Sequence, residues 1–121
     1  MTKNVLVVDD SNFMRTIITD ILNANGYHLA GLAKDGQDVL RMYRELKPDL
    51  VIMDLTMQNV GGIDGLKMLK AEFPEAKVVV CSALEQREYF VKAIECGADD
   101  FITKPITPDK ILTAVENSIG I

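Results

Sequence analysis

The sequence predicts an α/β domain built on one parallel sheet with helices on both faces. Three observations carry that prediction. Short, near-continuous apolar runs of the kind that forms strands buried on both faces alternate with stretches whose apolar residues recur at helical spacing. The connections between them are short, which favours right-handed strand–helix–strand crossovers and hence a parallel sheet. Four of the runs end on residues able to handle a phosphoryl group: Val5 to Val8 on Asp9 and Asp10, Leu50 to Met53 on Asp54, Val78 to Cys81 on Ser82, and Phe101 to Thr103 on Lys104-Pro105. In parallel strands these residues converge at the carboxyl edge, where open α/β sheets hold their ligands.

Asn4 to Val8 reads as the first strand. From Asn12 the period changes, with Phe13, Met14, Ile17, Ile18, Ile21 and Leu22 at helical spacing, and Asn25-Gly26 supplies the left-handed residue that ends a helix. His28 to Ala33 is a short second strand closed by Lys34-Asp35-Gly36. Val39, Leu40, Tyr43 and Leu46 mark a second helix that stops before Pro48. Leu50 to Met53 is the third strand, and Ile63, Leu66, Leu69 and Phe73 make a third helix ending at Pro74. After the buried strand around Val78, Val79 and Val80, Phe90, Val91 and Ile94 mark a fourth helix capped by Gly97. Phe101 to Thr103 is the last strand. Thr107 offers an N-cap with Pro108 at the first helical position, and Ile111, Leu112, Val115 and Ile119 give the final helix its apolar face.

The 121 residues are read as one domain, 1–121, and a 48% hydrophobic, 26% charged composition is that of a soluble globular protein able to fold alone. A net charge of −5 argues against direct nucleic-acid binding, which needs a basic stripe. No apolar run approaches the roughly 20 residues of a membrane span, and Met1-Thr2-Lys3-Asn4 has no signal-peptide pattern, so a cytoplasmic protein is expected. Cys81 and Cys96 lack the paired spacing of a zinc or redox motif and are expected in the core. His28 has no second ligand-type residue at a metal spacing and reads as structural or surface.

Adjacent carboxylates at Asp9 and Asp10, with a third at Asp54, form a hard-oxygen cluster suited to Mg²⁺, which takes one or two protein carboxylates together with waters and phosphate oxygens. Such an ion offsets the repulsion among the acids and leaves Asp54 as a nucleophile for phosphoryl transfer. That reaction is catalysed by positioning and by neutralising equatorial oxygens, so a fixed cation and a hydrogen-bond donor are also required. Lys104 and Ser82 meet those needs. Singly, an Asp-Asp pair is commonly a solvated loop, Lys-Pro a turn, and Ser82 a helix cap. Acid pair, acid, hydroxyl and lysine at four successive strand ends are hard to explain as independent accidents.

The chain resembles the receiver domains of two-component response regulators, most closely the stand-alone CheY-like chemotaxis type. The motifs carrying the resemblance are Val7-Val8-Asp9-Asp10-Ser11, Met14-Arg15, Ala33-Lys34-Asp35-Gly36, Asp54-Leu55-Thr56-Met57, Gly62, Cys81-Ser82-Ala83, Gly97-Ala98 and Lys104-Pro105. The resemblance implies a flavodoxin-like, doubly wound five-stranded sheet of order 2-1-3-4-5 with five helices. It implies that a histidine kinase phosphorylates Asp54, that Asp10, Asp54 and the backbone carbonyl of Thr56 bind Mg²⁺, and that Asp9 assists through water. Lys104 would pair with the phosphoryl oxygens. Ser82 would move to hydrogen-bond the phosphoryl group while Phe101, the switch aromatic, turns inward and changes the face around the fourth helix, fifth strand and fifth helix. Glu85, Arg87, Phe90, Lys92 and Phe101 are the exposed candidates for contact with a flagellar motor or other output protein. Phe90 reads equally as core at helical spacing, and Phe101 as a static sheet aromatic. Thr56 and Leu84 match positions that tune water access to the phosphoryl group, and the apolar Leu84 is expected to slow its loss; a phosphatase is a further expected partner.

After Met57 the family continues with proline, any residue, methionine, Asp or Asn, then glycine, whereas this chain reads Gln58-Asn59-Val60-Gly61-Gly62. Exchanging proline for Gln58 and adding Gly61 raises the loop's conformational freedom, so a mobile loop and weaker Mg²⁺ organisation are expected beside Asp54. The implied role is a signalling receiver, not an enzyme in its own right, that assists its own phosphorylation and dephosphorylation. Two alternatives keep the chemistry: a phosphorelay intermediate, and a receiver domain from a larger DNA-binding regulator. An aspartate-nucleophile phosphatase fits less well, because Ser11 stands where the second acid of its Asp-x-Asp would be. A dinucleotide module fits least, since no Gly-x-Gly-x-x-Gly loop follows a strand.

Overall fold

The computed structural model describes residues 3–56 and 61–119. Strands β1 (Asn4–Val8), β2 (His28–Ala33), β3 (Leu50–Asp54), β4 (Val78–Ala83) and β5 (Asp100–Lys104) alternate with helices α1 (Asn12–Ala24), α2 (Gly36–Leu46), α3 (Gly62–Glu72), α4 (Arg87–Glu95) and α5 (Pro108–Ile119). All strand pairings are parallel, in the order β2-β1-β3-β4-β5. This is the expected flavodoxin-like arrangement. The strand order reverses direction between β1 and β3, and that switch point, together with the neighbouring end of β4, opens the edge on which Asp9 and Asp54 lie.

The central strands are apolar throughout because both faces are covered, and strand alternation divides their side chains between two cores. On one face Leu6, Val8, Val51, Met53, Val78 and Val80 pack with Val39 of α2, Leu66 and Leu69 of α3, and Phe90 and Ala93 of α4. On the other, Val5, Val7, Leu50, Ile52, Val79, Cys81 and Ile102 pack with Ile18 and Leu22 of α1 and Ile111, Ala114 and Val115 of α5. Cys81 is buried and Cys96 partly buried against the first core, in line with expectation. His28 is exposed at the start of edge strand β2.

Local chemistry sets the helix ends. Ser11 Oγ accepts the Met14 amide at the start of α1, and Asp35 Oδ1 accepts the Gln37 and Asp38 amides at the start of α2. Thr107 Oγ1 accepts the Lys110 amide at the start of α5, as its position before Pro108 predicted. At the end of α2, Lys47 takes the left-handed conformation (φ 47°) immediately before Pro48.

Four apolar residues at the helical positions read from the sequence are exposed: Phe13 (73%), Leu46 (39%), Val91 (57%) and Ile94 (46%). Helical spacing alone does not say which face meets the sheet. Phe13 lies about 140° around α1 from Ile18, and Val91 and Ile94 lie about 100° around α4 from Phe90 and Ala93. A 3-10 turn over Leu84–Gln86, without an apolar period to announce it, separates β4 from α4.

Gly62 is demanded by packing. A Cβ on Gly62 would lie 2.3 Å from the Asp54 carbonyl oxygen and 2.5 Å from the Leu55 Cα, both backbone atoms that cannot swing aside. The first turn of α3 therefore rests directly on the end of β3. Gly62→Ala is expected to destabilise the fold by roughly 1–3 kcal/mol through overpacking, read as a lowered urea midpoint; a wild-type midpoint would contradict this close packing.

Candidate functional site

The carboxyl edge is assembled from the ends of β1, β3 and β5. Asp9 directly follows β1, where its amide donates to the Ala33 carbonyl at 3.0 Å, and its Oδ1 accepts the Ser11 amide at 2.9 Å. Asp54 ends β3. One oxygen of its carboxylate accepts both the amide and the hydroxyl of Thr56, each at 3.0 Å, while the other accepts Lys104 Nζ at 3.2 Å. Carboxylate oxygens of Asp9, Asp10 and Asp54 lie within 4.8 Å of one another, with Asp9 and Asp54 buried and Asp10 exposed. The donor set is all hard oxygen and open to solvent on the Asp10 side, which fits Mg²⁺ with part of its water shell retained.

Sequence reasoning gave no role to two residues that shape this edge. Arg15, on the first turns of α1, is buried; its Nη1 donates to the Asp9 carbonyl at 2.6 Å and its other terminal nitrogen to the Asn12 side chain. A guanidinium under the acid turn fixes the backbone that carries Asp9 and Asp10. Lys110 of α5 donates to the carbonyl and hydroxyl of Thr103, at 3.0 and 3.3 Å, and to the Pro105 carbonyl at 3.1 Å. It thereby braces the turn holding Lys104, in which the Lys104-Pro105 bond is cis, the isomer that the sequence left open. Arg15 was visible only within the Met14-Arg15 pair that carries the family resemblance; Lys110 carried no signal.

The remaining expected residues are divided. Ser82 is fully buried within β4 and pairs across the sheet with Thr103, one position beyond Cys81, the partner of Asp54. It caps no helix: its hydroxyl donates to Gln86 Oε1 at 2.8 Å. Leu84 begins the 3-10 turn. Glu85, Arg87 and Lys92 are exposed. Phe90 is not a surface residue, as its place among the output candidates required: it is 6% exposed in the core under α4. Phe101 is 46% exposed and its ring rests on that of Phe90, with centroids 4.8 Å apart. Residues 57–60, with most of the loop expected to be mobile, lie outside the described residues.

Burial pushes the Asp9 carboxyl up from 3.8 to about 6, with the Asp54 and Asp10 charges adding to the shift and the Ser11 amide and Lys104 opposing it. Burial also raises the Cys81 thiol, reinforced by Asp54, so Cys81 is an unreactive core residue. In metal-free protein the folded state binds the Asp9 proton more tightly than the unfolded chain. The contribution of this group to stability is therefore fully present below pH 3.8 and is lost as pH rises through about 6. Asp9→Asn should stabilise the metal-free protein at pH 7.5 by on the order of 1–3 kcal/mol, with the gain shrinking as pH falls toward 4. Urea unfolding in a chelator at both pH values checks this; a gain independent of pH would contradict it.

Comparison with known proteins is consistent with this geometry. Residues 5–116 match the response regulator receiver domain. The chain is 45% identical over 115 residues to the chemotaxis protein CheY of Thermotoga maritima, covering 95% of this chain and 96% of that one. It is 46% identical over 116 residues to protein CcdB of Bacillus subtilis, covering 96% and 97%. Among solved structures it resembles the CheX–CheY–BeF3–Mg²⁺ complex of Borrelia burgdorferi, with TM-score 0.89 and 32% identity, covering 94% of this chain and 87% of that one. With its fold, acid edge and sequence all agreeing, the chain belongs to the response regulator receiver domain family.

Proposed function

We propose that residues 1–121 act in the cytoplasm as a Mg²⁺-dependent phosphoacceptor switch, taking a phosphoryl group from a histidine kinase onto Asp54 and signalling by altered protein contacts in chemotaxis or motor control. The observation that carries the reading is the gathering of Asp9, Asp10 and Asp54 oxygens within 4.8 Å, with Lys104 Nζ 3.2 Å from Asp54. The names of the CheY relatives support the chemotaxis assignment, and no helix among the described residues is long and apolar enough to cross a membrane.

In the transfer, an Asp54 carboxylate oxygen attacks the phosphorus of the donor phosphohistidine. The N–P bond breaks, its electron pair stays with the imidazole, and an aspartyl phosphate forms. Thr56 and Lys104 hold the two Asp54 oxygens before the reaction, so the carboxylate is oriented at no further entropic cost. Asp9, Asp10, Asp54 and the Thr56 carbonyl would hold Mg²⁺, which when bound offsets the crowded negative charge and stabilises the phosphoryl oxygens. Lys104 exchanges its contact with the carboxylate for one with a phosphoryl oxygen. Attack by water on phosphorus reverses the modification, at a rate that Thr56 and Leu84 are proposed to tune, with a phosphatase as a further partner.

The resting arrangement supports the output half of the reading. Ser82 is engaged away from Asp54, and Phe101 lies against the exposed side of α4 near Arg87, Val91, Ile94 and Thr103. These residues line a cavity of about 560 Å³. With Phe90 removed from the exposed set, Glu85, Arg87, Lys92 and Phe101 form the proposed contact surface for a motor or other output protein.

Incubation with acetyl phosphate, followed by intact mass measurement, tests the chemistry. The expected result is a Mg²⁺-dependent, hydroxylamine-labile phosphoryl adduct that Asp54→Asn lacks. An equal adduct on Asp54→Asn, or none on wild-type protein even with a histidine kinase donor, would overturn the reading.

A further inference from the structure

The Ser82 hydroxyl is fully buried and carries one proton. That proton is committed to Gln86 Oε1 at 2.8 Å. Gln86 closes the 3-10 turn and stands immediately before α4, in the N-cap position with φ −105° and ψ 42°, yet its side chain makes no cap hydrogen bond to the helix. The residue that would ordinarily anchor the first turn of α4 is instead tied back to β4. A hydroxyl with a single proton cannot donate to Gln86 and to a phosphoryl oxygen at once, so the two contacts exclude each other.

We propose that Gln86 is a positioning residue that holds Ser82 in the resting orientation and is released from it when Asp54 is phosphorylated, which couples the site to the start of α4. The inference rests on the phosphoacceptor reading of Asp54. It requires a phosphoryl group to outcompete a neutral amide oxygen for the Ser82 proton, and charged acceptors form the stronger bond. Gln86 is only partly buried, so once released its side-chain oxygen turns to water. Its backbone is continuous with that turn, so the exchange at one hydroxyl changes how α4 is anchored. The two states thus differ in a named contact, as a population shift requires.

The full chain in Mg²⁺, titrated with beryllofluoride as the phosphoryl mimic, separates the possibilities. Gln86→Leu removes the competing acceptor and should tighten beryllofluoride binding roughly three- to ten-fold, the worth of one ordinary hydrogen bond. Gln86→Glu supplies a charged acceptor, holds the hydroxyl harder and should weaken binding relative to wild type. In a Ser82→Ala background both substitutions should lose their effect, which a merely structural role for Gln86 would not produce. Wild-type binding with Gln86→Leu unchanged, or effects that persist in Ser82→Ala, would overturn the inference alone. Absence of binding by the wild-type protein would overturn the reading of Asp54 and the inference with it.

Discussion

Three carboxylates crowded at one sheet edge are the constraint around which this molecule is arranged. Asp9, Asp10 and Asp54 offer oxygens within 4.8 Å of one another, and two of these residues are buried. Burial, reinforced by the neighbouring Asp54 and Asp10 charges, disfavours the charged form of Asp9, whose carboxyl is pushed up to about 6. The surrounding structure compensates in part: Lys104 pairs with Asp54, the Ser11 and Thr56 amides donate into the cluster, and Arg15 clamps the backbone beneath it. The compensation is incomplete, and on the proposed reading that leaves the edge receptive to a divalent cation and then to a phosphoryl group. A site that satisfied its own charges would have less to gain from either.

Receptivity at the edge becomes a signal only if occupancy changes contacts elsewhere. The geometry offers a short route. Asp54 ends β3, its neighbour in the sheet is β4, and Ser82 lies one position beyond the residue paired with Asp54. Ser82 is tied to Gln86, Gln86 opens α4, and Phe90 of α4 carries the ring on which Phe101 rests. The links are a strand pairing, a hydrogen bond, one turn of helix and a ring contact, and the last is exposed on the surface beside the α4 cavity. Phe90 is core and Phe101 is half-exposed, so the aromatic pair joins the interior to the face that meets solvent. On the proposed reading, that is where a partner senses the state of Asp54.

The fold and the acid edge were legible because they depend on short-range pattern. Continuous apolar runs such as Val5 to Val8 and Val78 to Cys81 fix strands buried on both faces, and in a parallel sheet the residue ending each run must come to the same edge. Asp9, Asp54 and Lys104 were therefore readable as neighbours although they lie far apart in the chain. Burial within a helix was less legible. Phe90, Val91 and Ile94 are alike in hydropathy, and only the docking angle of α4 decides that Phe90 is covered while the other two are exposed. Gln86 and Lys110 were invisible for a different reason: their roles are hydrogen bonds set by a 3-10 turn and by the turn after β5, neither of which leaves a periodic trace.

On the proposed reading the acid edge and the α4 face are one coupled unit. Backbone amide spectra recorded first with Mg²⁺ and then with beryllofluoride added test it most directly. Mg²⁺ is expected to shift resonances around Asp9, Asp10, Asp54 and Thr56, and beryllofluoride to extend the shifts through Ser82 and Gln86 to Phe90 and Phe101. Beryllofluoride shifts confined to the acid edge, with Gln86 and Phe101 unmoved, would contradict it.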